Sequence, residues 1–260
     1  YSCINCQRSL PHVEAWYNTY RKDGLVVVGV HTPEFAFEHV VSNVESEAAK
    51  LGVHYPVAID SNYGTWDAWG NQYWPAEYLI DQTGEIRHVA FGEGDYSTTE
   101  GEIRSLLAAG SPTATLPPAT EVADATPTEE LTPETYLGNQ YAPLHTSGTA
   151  PSPGGNTNYQ YPSTLQPSTF ALAGTWTDGD EALTAGANAQ LELSYQAKDV
   201  YLVIGGAGTV TVQVNGRTTT TLTIAGVPKL YTLVSTPNEN AAVLNLKLGP
   251  GVQAYDFTFG

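Results

Sequence analysis

The chain has 260 residues, 10 Lys+Arg against 27 Asp+Glu and a formal net charge of −17. That balance excludes nucleic acid and an anionic membrane surface as partners, and no apolar run reaches the length needed to span a bilayer. Charged residues make up only 14 %, beside 25 glycines and 17 prolines, a mix that suits a β-rich, loop-rich protein of two domains outside the cytoplasm.

The two cysteines of the chain, Cys3 and Cys6, stand in its first six residues with Ile4 and Asn5 between them. A Cys-x-x-Cys pair at a helix start can cycle between dithiol and disulfide, because the unpaired N–H groups and partial positive charge of the helix N-terminus favour thiolate. Cys3 is then the attacking thiol and Cys6, one turn on, resolves the mixed disulfide. A structural zinc site needs four ligands, and there is no second cysteine pair; His12 supplies at most a third. Covalent haem attachment needs histidine after the second cysteine, where Gln7 stands. An inert structural disulfide is the remaining alternative, and so small a loop stabilises weakly. No metal is expected, and no cofactor beyond a redox-active Cys3–Cys6 disulfide. With no methionine, no visible signal peptide and an opening directly before the motif, the chain reads as a fragment whose N-terminus lies elsewhere.

Leu10, Val13, Trp16, Tyr17 and Tyr20 form a helical stripe over 7–23, with Pro11 inside it and Asp23-Gly24 closing it. The apolar run 25–30 predicts a strand buried on both faces. Thr32 and Pro33 open a helix to about Leu51, residues 55–60 form a strand, and Tyr63–Trp69 a short helical turn. Residues 77–81 and 86–91 pair as a hairpin across 82–84. A last helix starts at Ser97, with a capping box to Glu100, and ends near Ala109.

This order of elements after a redox pair is similar to the thioredoxin-like family, in its extracytoplasmic TlpA/ResA branch. Cys3-Ile4-Asn5-Cys6 sits where the family has its active-site motif. Pro11, five residues after Cys6, matches the helix-kinking proline, and Trp74-Pro75 matches the cis-proline that faces the cysteines. The resemblance implies that Pro75 exposes a backbone edge on which a substrate peptide pairs, with Trp74 lining the groove; the ordinary reading is a trans proline at a strand start. In the family a central strand runs into the motif, and thioredoxin carries a buried acid on it. The sequence given starts at Tyr1, so that strand and its acid are not in it and the proton acceptor of Cys6 is missing or replaced; Glu77 and Glu34 are candidates by position only, and their ordinary reading is as surface or capping residues.

Composition changes after the first domain, residues 1–110. Residues 111–163 read as a Pro/Thr-rich, acidic linker, within which Tyr136 and Leu137 are expected to dock on a domain. Residues 164–260 read as an all-β sandwich of jelly-roll type, with short strands at 191–195, 200–204, 210–214, 218–224, 230–234, 242–248 and 254–259 and a hairpin turn at Asn215-Gly216. Thr132–Gly138, Gly174-Thr-Trp176 and Gly251–Gly260, with Tyr1–Cys6, resemble the DipZ family. There a CcdA-type membrane electron carrier precedes an α/β thioredoxin-like domain, and a carbohydrate-binding-module-like sandwich follows.

The leading expectation is a thiol–disulfide oxidoreductase for extracytoplasmic proteins, run as a reductant and anchored through an absent N-terminal membrane region. By resemblance, its electrons come from the membrane carrier. A thiol peroxidase is a second reading, with Arg8 as the group to polarise peroxide, although Gln7-Arg8 suits an exposed helix surface. A third gives the sandwich a glycan partner, held on Trp176, Tyr195, Tyr201 or Tyr231; aromatics at these spacings are more often core.

Overall fold

A computed structural model describes residues 1–111 and 115–260. The chain divides into two compact units, Cys3–Thr126 and Pro127–Gly260.

In the first unit, helix α1 spans Ile4–Tyr20 and passes through Pro11; a 3-10 turn, Arg21–Asp23, then closes at Gly24. Gly24 adopts φ 112°, which a side chain would disfavour. Strand β1 (Gly29–His31) pairs in parallel with β2 (Val57–Ile59). Helix α2 covers Val41–Lys50 and α3 covers Gly64–Ala68. Strands β3 (Ala76–Ile80) and β4 (Ile86–Phe91) form the expected hairpin, its turn tied by Asp81, which accepts from Thr83 and Glu85 N–H. Helix α4 runs from Tyr96 to Gly110. Trp16 and Tyr20 of α1 pack on Tyr96 and Ile103 of α4, with Leu79 of β3 against them. This small core fixes the direction of α1 and hence of the cysteines at its start.

Three expectations need correction. The run 25–30 forms a strand only at its end, and Val26 and Val28 are 81 % and 56 % exposed. Among the described residues the strand pairs with β2 over three positions alone, and an apolar segment is buried only where neighbours cover it. The helix read from Thr32 begins at Val41, because Val40 is extended; the Thr32 hydroxyl bonds to Asp60 instead of capping. Ser97 does not open α4. Asp95 precedes it, and Glu100 turns inward to Tyr20 and Thr120.

The linker boundary also shifts. Residues 112–114 of the Pro/Thr stretch lie outside the described residues. Beyond them the Pro117 carbonyl accepts from Arg104, and Thr120 donates through its N–H and hydroxyl to Glu100, so this segment packs on α4. Residues 127–163 belong to the second unit. There β5 (Thr135–Tyr136) pairs with the last strand, and Leu137 is fully buried.

The second unit is all-β and is built on one antiparallel sheet. Its sheet contains β6 (Asn156–Tyr159), β7 (Phe170–Asp178), β8 (Leu183–Ala185), β9 (Gln190–Gly205), β10 (Gly208–Val214), β11 (Arg217–Ile224), β12 (Lys229–Leu248) and β13 (Gln253–Phe259). The pairs expected as separate strands at 191–195 and 200–204, and at 230–234 and 242–248, are continuous in β9 and β12. Their register shifts at Thr232/Val234 and Ser235/Asn240, so each strand bends rather than ends. The first half of β9 pairs with β7 and the second half with β13. Inward residues of both halves, among them Leu191, Leu193, Leu202 and Ile204, meet Trp176 and Phe257 in one core. Asn215 and Gly216 both take positive φ, as a two-residue hairpin turn requires. Trp176 and Tyr195 are buried core residues, which removes them as an open sugar platform. Tyr201 and Tyr231 are half-buried, and Lys229 sits 5.4 Å above the Tyr231 ring.

Leu137 tests the revised boundary. Leu137→Ala removes a fully buried side chain and is expected to cost about 2–5 kcal/mol in urea unfolding, where the same change in a free linker costs roughly nothing.

Candidate functional site

The site is built where α1 begins. Cys3 is the N-cap residue, extended at φ −74° and ψ 122°, and its sulfur accepts from the Cys6 backbone N–H at 3.4 Å. A thiol thus takes the place that serine or aspartate fills at most helix starts. Both cysteines are free and half-buried.

Facing them, the Trp74–Pro75 bond is cis, and the Trp74 carbonyl lies 4.0 Å from Cys3 Sγ. The Trp74 side chain is fixed from two sides. Its Nε1–H donates to the Thr32 carbonyl at 3.1 Å, and its ring lies 4.2 Å from that of Trp66. Asp60 anchors both supports. It accepts from the Thr32 hydroxyl and from the N–H groups of Thr65 and Trp66 at the start of α3. Burial pushes the Asp60 carboxyl up, but these donors outweigh it and hold the group below the usual carboxylate range. All four residues proposed from the sequence, Cys3, Cys6, Trp74 and Pro75, line one cavity of about 410 Å3.

The electrostatics differ from expectation in one respect. The Cys3 thiol is pushed up, first by the hydrogen bond it shares with Cys6, then by burial and by the charge of Cys6. Only the Cys6 backbone N–H acts in the expected downward direction. Glu77, two residues after Pro75, lines the same cavity. Burial pushes its carboxyl up to about 7, opposed by a hydrogen bond from Thr99. Glu34 also lines the cavity, and its charge adds to the upward shift of Cys3. His12 is buried on α1 with its ring 3.6 Å from that of Tyr96.

Arg8 is not the exposed residue that the sequence suggested. Its side chain is 10 % exposed and forms a two-point ion pair with Glu93, both contacts at 2.7 Å. Sequence reasoning missed Glu93, Thr32, Asp60 and Trp66. The sole local signal was Gly92-Glu93-Gly94, a charged residue between two glycines that both take positive φ.

Residues 1–89 match the AhpC/TSA family, and residues 132–260 match the family described as thioredoxin like C-terminal domain. Thiol-disulfide oxidoreductase YkuV of Bacillus subtilis (strain 168) is 32 % identical over 107 residues, which cover 41 % of this chain and 72 % of YkuV. The chain belongs to the thioredoxin-like thiol–disulfide oxidoreductase family. Protein DipZ of Mycobacterium tuberculosis (strain CDC 1551 / Oshkosh) is 46 % identical over 263 residues, covering 100 % of this chain and 38 % of DipZ. The chain therefore spans 38 % of the length of that relative. A solved thioredoxin-like protein in the oxidized form has 31 % identity at a TM-score of 0.39, covering 42 % of this chain and 73 % of that one. Among the described residues no helix is long and apolar enough to cross a membrane.

Glu77 gives the oxidoreductase unit a pH signature. Its folded pKa of about 7 lies above the ordinary 4.5, so the folded state binds more protons between these values and stability falls as pH rises through that window. Glu77→Gln is expected to stabilise the protein at about pH 8 by on the order of 2 kcal/mol, with the difference vanishing near pH 4. Urea unfolding followed by tryptophan fluorescence at the two pH values reads this.

Proposed function

We propose that this protein exchanges thiols and disulfides with extracytoplasmic protein substrates. The observation that carries the reading is the Cys3 sulfur at the N-cap of α1, 4.0 Å from the Trp74 carbonyl. Cys3, as thiolate, attacks one sulfur of a substrate disulfide; a mixed disulfide forms and the other substrate sulfur leaves as thiolate. Cys6 then attacks Cys3, which releases the second substrate thiol and closes the Cys3–Cys6 disulfide. Two electrons and two protons pass to the substrate. In this reading Glu77, which lines the same cavity as Cys6, takes the Cys6 proton, since a buried carboxyl with a pKa of about 7 accepts a proton near neutral pH. Pro75 and Trp74 shape the groove, where an extended substrate segment pairs beside Cys3.

The similarity to DipZ across both units supports the wider setting. The chain acts outside the cytoplasm as a reductant, its disulfide reduced again by a CcdA-type membrane electron carrier of the longer protein. The sandwich holds glycan or positions the redox unit. A peroxidase reading fits less well, although residues 1–89 match the AhpC/TSA family. The Arg8 guanidinium, the candidate to polarise peroxide, is engaged by Glu93 and Asn5.

Insulin reduction with dithiothreitol tests the assignment. Cys3→Ser is expected to reduce the rate to background. Cys6→Ser is expected to accumulate a mixed disulfide through Cys3, seen as a mass increment that dithiothreitol removes. Turnover that survives Cys3→Ser contradicts the role of Cys3.

A further inference from the structure

Asp60 directly follows β2, and α3 begins shortly after it at Gly64. The first N–H groups of a helix have no partner within it. The Asp60 carboxylate accepts two of them, Thr65 N–H on Oδ1 at 2.8 Å and Trp66 N–H on Oδ2 at 2.9 Å. Oδ2 also accepts from the hydroxyl of Thr32, the residue after β1, at 3.2 Å. The Asp60 backbone repeats the link: its N–H donates to the His31 carbonyl, and its carbonyl accepts from Tyr63 N–H, both at 2.9 Å. Asp60 is 8 % exposed, so little water is at hand to replace these bonds. One carboxylate thus ties the end of β1 to the first turn of α3.

Both tied segments touch Trp74. The Thr32 carbonyl accepts from Trp74 Nε1–H at 3.1 Å, and the Trp66 ring lies 4.2 Å from the Trp74 ring at an angle of 33°. A directional bond at the edge of the indole and a ring contact together fix its placement. The backbone of the same residue stands at the reactive atom, with the Trp74 carbonyl 4.0 Å from Cys3 Sγ. Cys3, Thr32, Trp66 and Trp74 line one cavity. Trp74 is half-buried, so part of its indole remains open. An extended substrate segment paired beside Cys3 meets that surface, whereas a small disulfide reaches Cys3 without it.

We propose that Asp60 is a positioning residue for exchange with protein disulfides: it holds Thr32 and Trp66 in the arrangement that sets the Trp74 indole beside Cys3. This deepens the dithiol-exchange reading and rests on it. The three donors to the carboxylate need an acceptor at each of its oxygens, and an amide in its place turns N–H toward at least one of them. With a tether lost, the wall shifts and a bound segment loses its apolar surface. The sulfurs keep their own contacts. The N–H that the Cys3 sulfur accepts belongs to α1, and none of the hydrogen bonds of Asp60 goes to that helix.

The test uses the full chain, reduced with dithiothreitol and then freed of it. Its oxidation by insulin and by hydroxyethyl disulfide is followed as loss of free thiol. Asp60→Asn is expected to slow the reaction with insulin about tenfold and to leave that with hydroxyethyl disulfide within about twofold of wild type. The circular dichroism band of the paired indoles, recorded on the same samples, is expected to weaken. An unmoved insulin rate in folded Asp60→Asn overturns the role. So does an equal loss with both disulfides, since general damage at Cys3 slows both. A slower insulin reaction with an unaltered indole band overturns it too, because the wall has then not moved. If Asp60→Asn does not fold, Trp66→Leu decides. It removes the ring contact and keeps the carboxylate, so the same split between the two disulfides is expected, and an insulin rate equal to wild type overturns the role. A wild type that neither disulfide oxidises sinks the dithiol reading itself; a wild type that both oxidise, with an unmoved Asp60→Asn, sinks only the role of Asp60.

Discussion

The Cys6 N–H to Cys3 sulfur contact is the hinge of the first unit. A helix start leaves backbone donors without partners, and here the reactive atom is one of their acceptors. The sulfur is thus held by the same geometry that begins the helix, and its position is as rigid as α1. That rigidity comes from Trp16 and Tyr20 packed on Tyr96 and Ile103, far from the chemistry. The opposite wall is fixed independently, through Trp74 on the Thr32 carbonyl and Trp66, with Asp60 beneath both.

Charge at the site is arranged in pairs and traps rather than in exposed fields. Arg8 and Glu93 neutralise one another. Glu77 is a carboxyl that burial makes receptive to a proton near neutral pH. The Cys3 sulfur accepts from the Cys6 backbone N–H.

The second unit solves a different problem. Its core gathers residues from nearly every strand, and β9 and β12 serve both halves of the sheet because they bend at register shifts rather than break. Residues 131–137 complete it: the Thr132 N–H donates to the Gln196 carbonyl, and the Leu137 N–H to that of Tyr255. Residues 131–137, within the segment whose composition reads as a linker, are therefore part of a folded body.

The sequence alone determined what depends on short spacing. The cysteine pair, the hairpin at residues 82–84 and the Asn215-Gly216 turn are each set by a few adjacent residues whose backbone chemistry leaves little choice. So is the alternation that marks the second unit as β. Tertiary structure decided everything that rests on partners far along the chain: Glu93 on Arg8, the burial of Glu77, the strand on which Leu137 docks, the exposure of Val26 and the joining of separate runs into β9 and β12. The physical reason is that propensity and periodicity are local, whereas burial, ion pairing and the pKa of a buried acid belong to neighbours that only the fold brings together.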